Sequence, residues 1–128
     1  MNLNSMPTQR QVRFAEVIRS IISTAFIRGD YINTNIDFTT ITVSHVRMSK
    51  DLKIASVYVM PLGGKNKTET LNSLNECKFY FQKTLSSAKL KSKFTPKINF
   101  YIDDSYDEAE RIKNLLKSKK VLKDLKSE

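Results

Sequence analysis

The residues able to carry chemistry are few, and most of them point away from catalysis. The chain of 128 residues has one histidine, His45, and one cysteine, Cys77. A zinc site of the usual kind takes about four Cys or His ligands, so none can be assembled here, and a lone cysteine forms no internal disulfide. His45 sits in a segment rich in Thr and Val, with no serine/aspartate constellation beside it in the sequence, and reads as a polar strand residue. Cys77 falls on an apolar helical stripe, where a thiol behaves as a small hydrophobe. Asp103, Asp104, Asp107, Glu108 and Glu110 form an acidic cluster. Carboxylates at a helix start oppose the positive end of its dipole and cap free amides, which accounts for the cluster without a metal or an acid/base role. Leu62-Gly63-Gly64-Lys65-Asn66 superficially resembles a phosphate loop. That motif needs a glycine five residues before the Gly-Lys pair and a Ser or Thr after it, and Val59 and Asn66 hold those places. No catalytic residue, metal site or cofactor is read, and the chain is not expected to be an enzyme.

The basic residues carry the positive expectation. Lys and Arg number 22 against 13 Asp and Glu, a net charge of +9. The acids are concentrated in one short segment, and segregated positive charge favours a polyanion, with affinity driven by counterion release. Lys83, Lys89, Lys91, Lys93 and Lys97 form a run with no intervening acid. Arg47 and Lys50, with Lys53, flank an expected hairpin turn, and Lys65 and Lys67 flank the glycine pair. Arg10 and Arg13 lie mostly off the apolar face of the first helix. These eleven, Lys53 excepted, are the candidate RNA-binding residues. Phe79, Tyr80 and Phe94 stand near the lysines, either as base-stacking platforms or as core.

The elements that must position these residues follow from periodicity. Thr8 and Gln11 have capping-box spacing, and Val12, Ala15, Ile18, Ile22 and Ala25 recur at steps of three and four, which predicts a helix over about 8–28 closed by Gly29. Phe38 to Met48 and Lys53 to Met60 alternate as two strands joined by Ser49-Lys50-Asp51, an antiparallel hairpin. Leu71, Leu74, Cys77, Phe81, Leu85 and Ala88 predict one long helix over 69–88, with a kink or break near Ser86 and Ser87. Pro96 opens a third strand near 97–103, and Ala109, Ile112, Leu115 and Leu116 make a short final helix. Ile18, Ile22, Val43, Val57, Leu74, Phe81, Phe100 and Ile112 are the expected core. The order α-β-β-α-β-α describes an α+β sandwich with helices on one face of a small three-stranded sheet, its strand order open. The division is a loose tail at 1–7, one domain at 8–116 and a basic tail at 117–128. No apolar run approaches the roughly 18 residues of a membrane span, and the N-terminus has no signal-peptide core, so a cytoplasmic protein that does not engage membranes is expected.

The ordered motifs resemble one family. Gln9-Arg10-Gln11-Val12-Arg13, the stretch Ile41-Thr42-Val43-Ser44-His45-Val46-Arg47-Met48-Ser49-Lys50-Asp51-Leu52, Ala55-Ser56-Val57-Tyr58-Val59-Met60-Pro61-Leu62-Gly63, Phe94-Thr95-Pro96-Lys97-Ile98-Asn99-Phe100, Asp103-Asp104-Ser105 and Arg111-Ile112-Lys113-Asn114-Leu115-Leu116 resemble bacterial ribosome-binding factor A. The resemblance implies a type II KH-like domain that lacks the Gly-X-X-Gly loop of ordinary KH domains, in keeping with glycines only at 29, 63 and 64. In the family a helix–kink–helix carrying Ala-X-Gly replaces that loop. Here the nearest match is Cys77-Lys78-Phe79, which lacks both small residues. The implied function is an assembly factor that binds the immature 30S subunit and 16S rRNA and supports late maturation and 5′-end processing of the rRNA precursor, notably in the cold (cold adaptation); a monomer is expected. The alternative is a general single-stranded RNA-binding protein without ribosome specificity.

Overall fold

A computed structural model describes residues 6–28, 37–88, 90, 94–105 and 111–118. Helix α1 spans Gln9–Arg28 and opens on the capping box its sequence implies. The Thr8 N–H donates to Gln11 Oε1 at 2.8 Å, and the Gln11 N–H donates to Thr8 Oγ1 at 3.2 Å. Ala15, Ile18, Ile22, Ala25 and Phe26 are buried, whereas Val12, turned off the face on which Gln11 and Ala15 lie, is exposed. Gln11 takes the inward place and donates from its side-chain amide to the Met48 carbonyl at 3.1 Å, so the buried amide is satisfied.

Residues 38–40, expected as the start of the first strand, form a 3-10 turn instead. Asp37 caps it by accepting from the Thr39 N–H and hydroxyl, a local bond set that competes with a ladder. Strand β1 is Ile41–Met48 and β2 is Ile54–Pro61, antiparallel as expected. The hairpin turn is built from side chains: Ser49 Oγ donates to Asp51 Oδ1, and the N–H groups of Lys53 and Ile54 donate to Asp51 and Ser49. Leu52 adopts φ +59° there and is buried, packing that offsets a left-handed conformation unfavourable by about 1–2 kcal/mol. A bulge at Ser44 shifts the alternation, so Ile41, Val43, Val46 and Met48 all face the core.

The expected long helix is two. Helix α2 spans Lys67–Glu76 and α3 spans Lys78–Ser87, separated at Cys77 (φ −93°, ψ 5°) and not near Ser86 and Ser87. Ser86 stays helical, with its hydroxyl donating to the Gln82 carbonyl at 3.2 Å. The apolar stripe runs through the break with unchanged spacing, so periodicity could not register it. Leu74, Phe81 and Leu85 are buried on either side of it. No residue from Cys77 to Phe79 has a positive φ, which explains how the kink forms without glycine.

Strand β3 is Lys97–Ile102 and pairs parallel to β2, giving the sheet order β1-β2-β3. The helices pack on one face, where Phe26, Phe38, Phe81 and Phe100 form a ring cluster with centroid distances of 5.2–6.0 Å. Residues 111–118 are helical but exposed along their length. Ile112, expected in the core, is 51% exposed, because no described element lies against its apolar face.

Candidate nucleic-acid interface

The parallel pairing of β2 and β3 puts the hairpin turn and the start of β3 at one end of the sheet, tied by the Lys97 N–H donating to the Lys53 carbonyl at 2.8 Å. The Gln11 bond to Met48 brings the first turn of α1 to that same end. Gln82 brings α3 there by two hydrogen bonds to the edge strand: its Nε2 donates to the Pro96 carbonyl at 2.6 Å, and its Oε1 accepts from the Ile98 N–H at 3.1 Å. Arg10, Arg13, Arg47, Lys50, Lys83 and Lys97 are therefore gathered around one end, all exposed. Lys65 and Lys67 are not among them. They follow β2 at the opposite end, where Lys67 pairs with Asp104 at 3.8 Å and the Asp103 N–H donates to the Val59 carbonyl. Lys89, Lys91 and Lys93 lie outside the described residues.

A shallow groove opens between α3 and the start of β3, lined by Lys78, Phe79, Gln82, Thr95 and Lys97. Phe79, the first-turn residue after the kink, is 80% exposed, and Tyr80 beside it packs against the core. Next to the groove the Lys53 ammonium stands 5.7 Å over the Phe94 ring. Lys53 and Lys78 are not among the candidates read from the sequence, and Phe79, left there between platform and core, is outside the core. Phe79 falls two residues from Phe81, off the buried stripe, a signal the periodicity did contain. The cation–ring contact joins segments 41 residues apart and had none.

Other titratable groups give no reactive centre among the described residues. Burial pushes the Cys77 thiol up, away from thiolate chemistry, although its side chain is only half-buried. His45, read from sequence as having no aspartate near it, has Asp103 Oδ2 at 3.9 Å from Nδ1. The Ser105 hydroxyl and N–H both donate to Asp103 itself, and these bonds, with smaller help from Ser44 and His45, hold its carboxyl below the usual carboxylate range. The serine thus serves the acid and not the imidazole, so the trio is no relay. Asp103 also turns the chain at the end of β3, by accepting from the Ser105 N–H. No group of three or more His, Cys, Asp or Glu side chains able to hold a metal ion occurs among the described residues. No described helix is long and apolar enough to cross a membrane.

A single mixed sheet backed by kinked helices, without a Gly-X-X-Gly loop, defines an α+β domain of the KH-like kind, with six of its cations grouped at the hairpin end. The model of the family described as ribosome-binding factor A matches residues 10–116. The Pelagibacter ubique ribosome-binding factor A is 46% identical over 110 residues, 86% of this chain and 89% of the relative. The crystal structure of the Thermus thermophilus factor superposes with a TM-score of 0.59 at 17% identity, covering 72% of this chain and 94% of that one. A homology model of the Thermus thermophilus factor, fitted into a cryo-electron microscopy map of a complex with the 30S subunit, gives 0.55 at 17% identity over 73% and 96%. The chain belongs to the ribosome-binding factor A family.

Proposed function

We propose that this protein binds the immature 30S subunit through 16S rRNA and supports late maturation and 5′-end processing of the rRNA precursor, acting by binding and not by catalysis. Family membership supports the ribosomal partner, and the homology model of a relative fitted into the map of a 30S complex is consistent with it. The observation that carries the RNA contact is the gathering of Arg10, Arg13, Arg47, Lys50, Lys53, Lys83 and Lys97 around one end of the sheet, beside a groove with an exposed aromatic ring. Such cations position phosphates and carry little sequence information, while a ring offers a face to any base. Lys89, Lys91 and Lys93 follow α3 in sequence and are assigned to the same contact; Lys65 and Lys67 contribute less, since Lys67 already pairs with Asp104.

Co-sedimentation with 30S subunits across a salt series tests this. Changing Lys78, Lys83 and Lys97 together to Gln is expected to weaken association about tenfold or more and to reduce the salt slope by about 2–3 units. Lys65→Gln with Lys67→Gln is the comparison and should lose less. Equal losses would mean that total charge alone counts, and equal binding to 50S subunits or free RNA would favour the general RNA-binding reading.

A further inference from the structure

The face of the sheet opposite the helices carries an ordered row of rings. His45, Tyr58 and Tyr101 occupy matching register positions on β1, β2 and β3. The bulge at Ser44 is what brings His45 onto this face, opposite Tyr58. His45 stacks on Tyr58 at 4.3 Å between centroids and 13° between planes, and Tyr58 stacks on Tyr101 at 5.3 Å and 27°. The stack ends at Tyr101, which is 44% exposed and stands on the edge strand. Tyr58 stacks on one face of that ring, and no further aromatic ring among the described residues continues the stack beyond it. The next row toward the hairpin holds Arg47, Ser56 and Asn99 in register, with the Lys78 ammonium donating to Asn99 Oδ1 at 3.1 Å across the strand edge. Among the described residues neither tyrosine hydroxyl nor the Arg47 guanidinium has a protein partner, and no residue of the three strands on this face is acidic.

We infer that this face is a second RNA contact, on which an unpaired nucleobase extends the ring stack at Tyr101 while the phosphates on its hairpin side lie against Lys78, Lys97 and Arg47. Three features commit the occupant to single-stranded nucleic acid. The stack ends on an exposed ring, Tyr101 on the edge strand, for which a base is the natural continuation. On the hairpin side of the row the charge, from Arg47, Lys78 and Lys97, is positive, which complements a phosphate backbone, while the Asp103 carboxylate lies beside His45 at the β1 end of the stack. Lys97 lies four residues from Tyr101 along β3, about 13 Å, a distance that a short single strand covers. The inference rests on the RNA-binding reading above and adds to it: the strand does not stop in the groove but turns over the β3 edge onto the sheet.

Titration of the full chain with hexauridylate and hexaadenylate at low salt, followed by tyrosine fluorescence and backbone amide shifts, tests it. The chain has no tryptophan and five tyrosines, so tyrosine quenching reports binding and the amide shifts place it on the sheet. Amide shifts are expected along Asn99–Ile102 and at His45 and Tyr58. Tyr101→Ala is expected to weaken oligonucleotide binding about fivefold or more, and Tyr101→Phe to retain it, since the ring and not the hydroxyl carries the stack. Shifts confined to the α3 groove, with Tyr101→Ala binding as wild type, would overturn the inference and leave the 30S reading standing. If Tyr101→Ala failed to fold, wild-type shifts and the Tyr101→Phe affinity would decide it. Loss of 30S co-sedimentation in Tyr101→Ala while oligonucleotide leaves the sheet unmoved would also overturn it, in favour of a protein partner on this face.

Discussion

At the scale of single residues, short polar side chains hold this fold's turns. The carboxyls of Asp37, Asp51 and Asp103 are all lowered, chiefly by hydrogen bonds from the hydroxyls of Thr39, Ser49 and Ser105, respectively. A group whose pKa is lower folded than unfolded contributes stability above its unfolded value, near 3.9, and loses it as pH falls through the folded value. Thermal melts should therefore be insensitive to these groups from about pH 5.5 upward and fall below about pH 4. Asp103→Asn should flatten part of that fall; an unchanged acid limb would show that these bonds persist in the unfolded chain. Gln11 joins a helix cap to a strand end. Gln11→Leu, similar in size, should cost about 1–3 kcal/mol in urea unfolding with m unchanged, because it loses the cap and strands the Met48 carbonyl.

At the scale of elements, the kink between α2 and α3 separates two tasks. Phe81 turns inward at the centre of the ring cluster, and Phe79, two residues earlier, turns outward beside Lys78. Phe81→Ala should cost about 3–5 kcal/mol, by lost burial plus the cavity it leaves. Phe79→Ala should leave denaturant stability within about 0.5 kcal/mol and still weaken association with 30S subunits. Parallel loss of stability and binding in both variants would mean that Phe79 is packing, contrary to its exposure.

At the scale of the whole molecule, charge is arranged along the sheet. The hairpin end is cationic, and the far end sets Lys67 against Asp104 next to the half-buried Asp103. Cations spread evenly would attract RNA in any orientation; the group of Arg10, Arg13, Arg47, Lys50, Lys83 and Lys97 around the hairpin end orients the encounter. If about five side chains neutralise phosphates, log K for 30S binding should fall with log salt at a slope of about −3.5 to −4.5. An affinity independent of salt would point to a dry apolar interface instead, against the distribution of cations seen here.

Local pattern alone determined much of this protein. The Thr8/Gln11 cap, the spacing from Ala15 to Ala25, the alternation through Ala55, Val57 and Val59 and the hairpin at Ser49 to Lys53 are short-range devices, and a helix or strand period records them directly. The same is true of the missing metal ligands and of the family motifs. Tertiary structure alone decided what depends on distant partners. The break at Cys77 is invisible to a stripe whose spacing continues through it, and only the family resemblance, with Cys77-Lys78-Phe79 as its nearest kink motif, points there. The place of Ile112 depends on whether another element covers it, which no period reveals. The parallel pairing of β3 is a long-range choice, and it sets which cations meet: Lys97 joins the hairpin end while Lys67 is carried to the aspartates. His45, Tyr58 and Tyr101 come from three separate segments, and only the register of the sheet, corrected by one bulge, lines their rings into a stack.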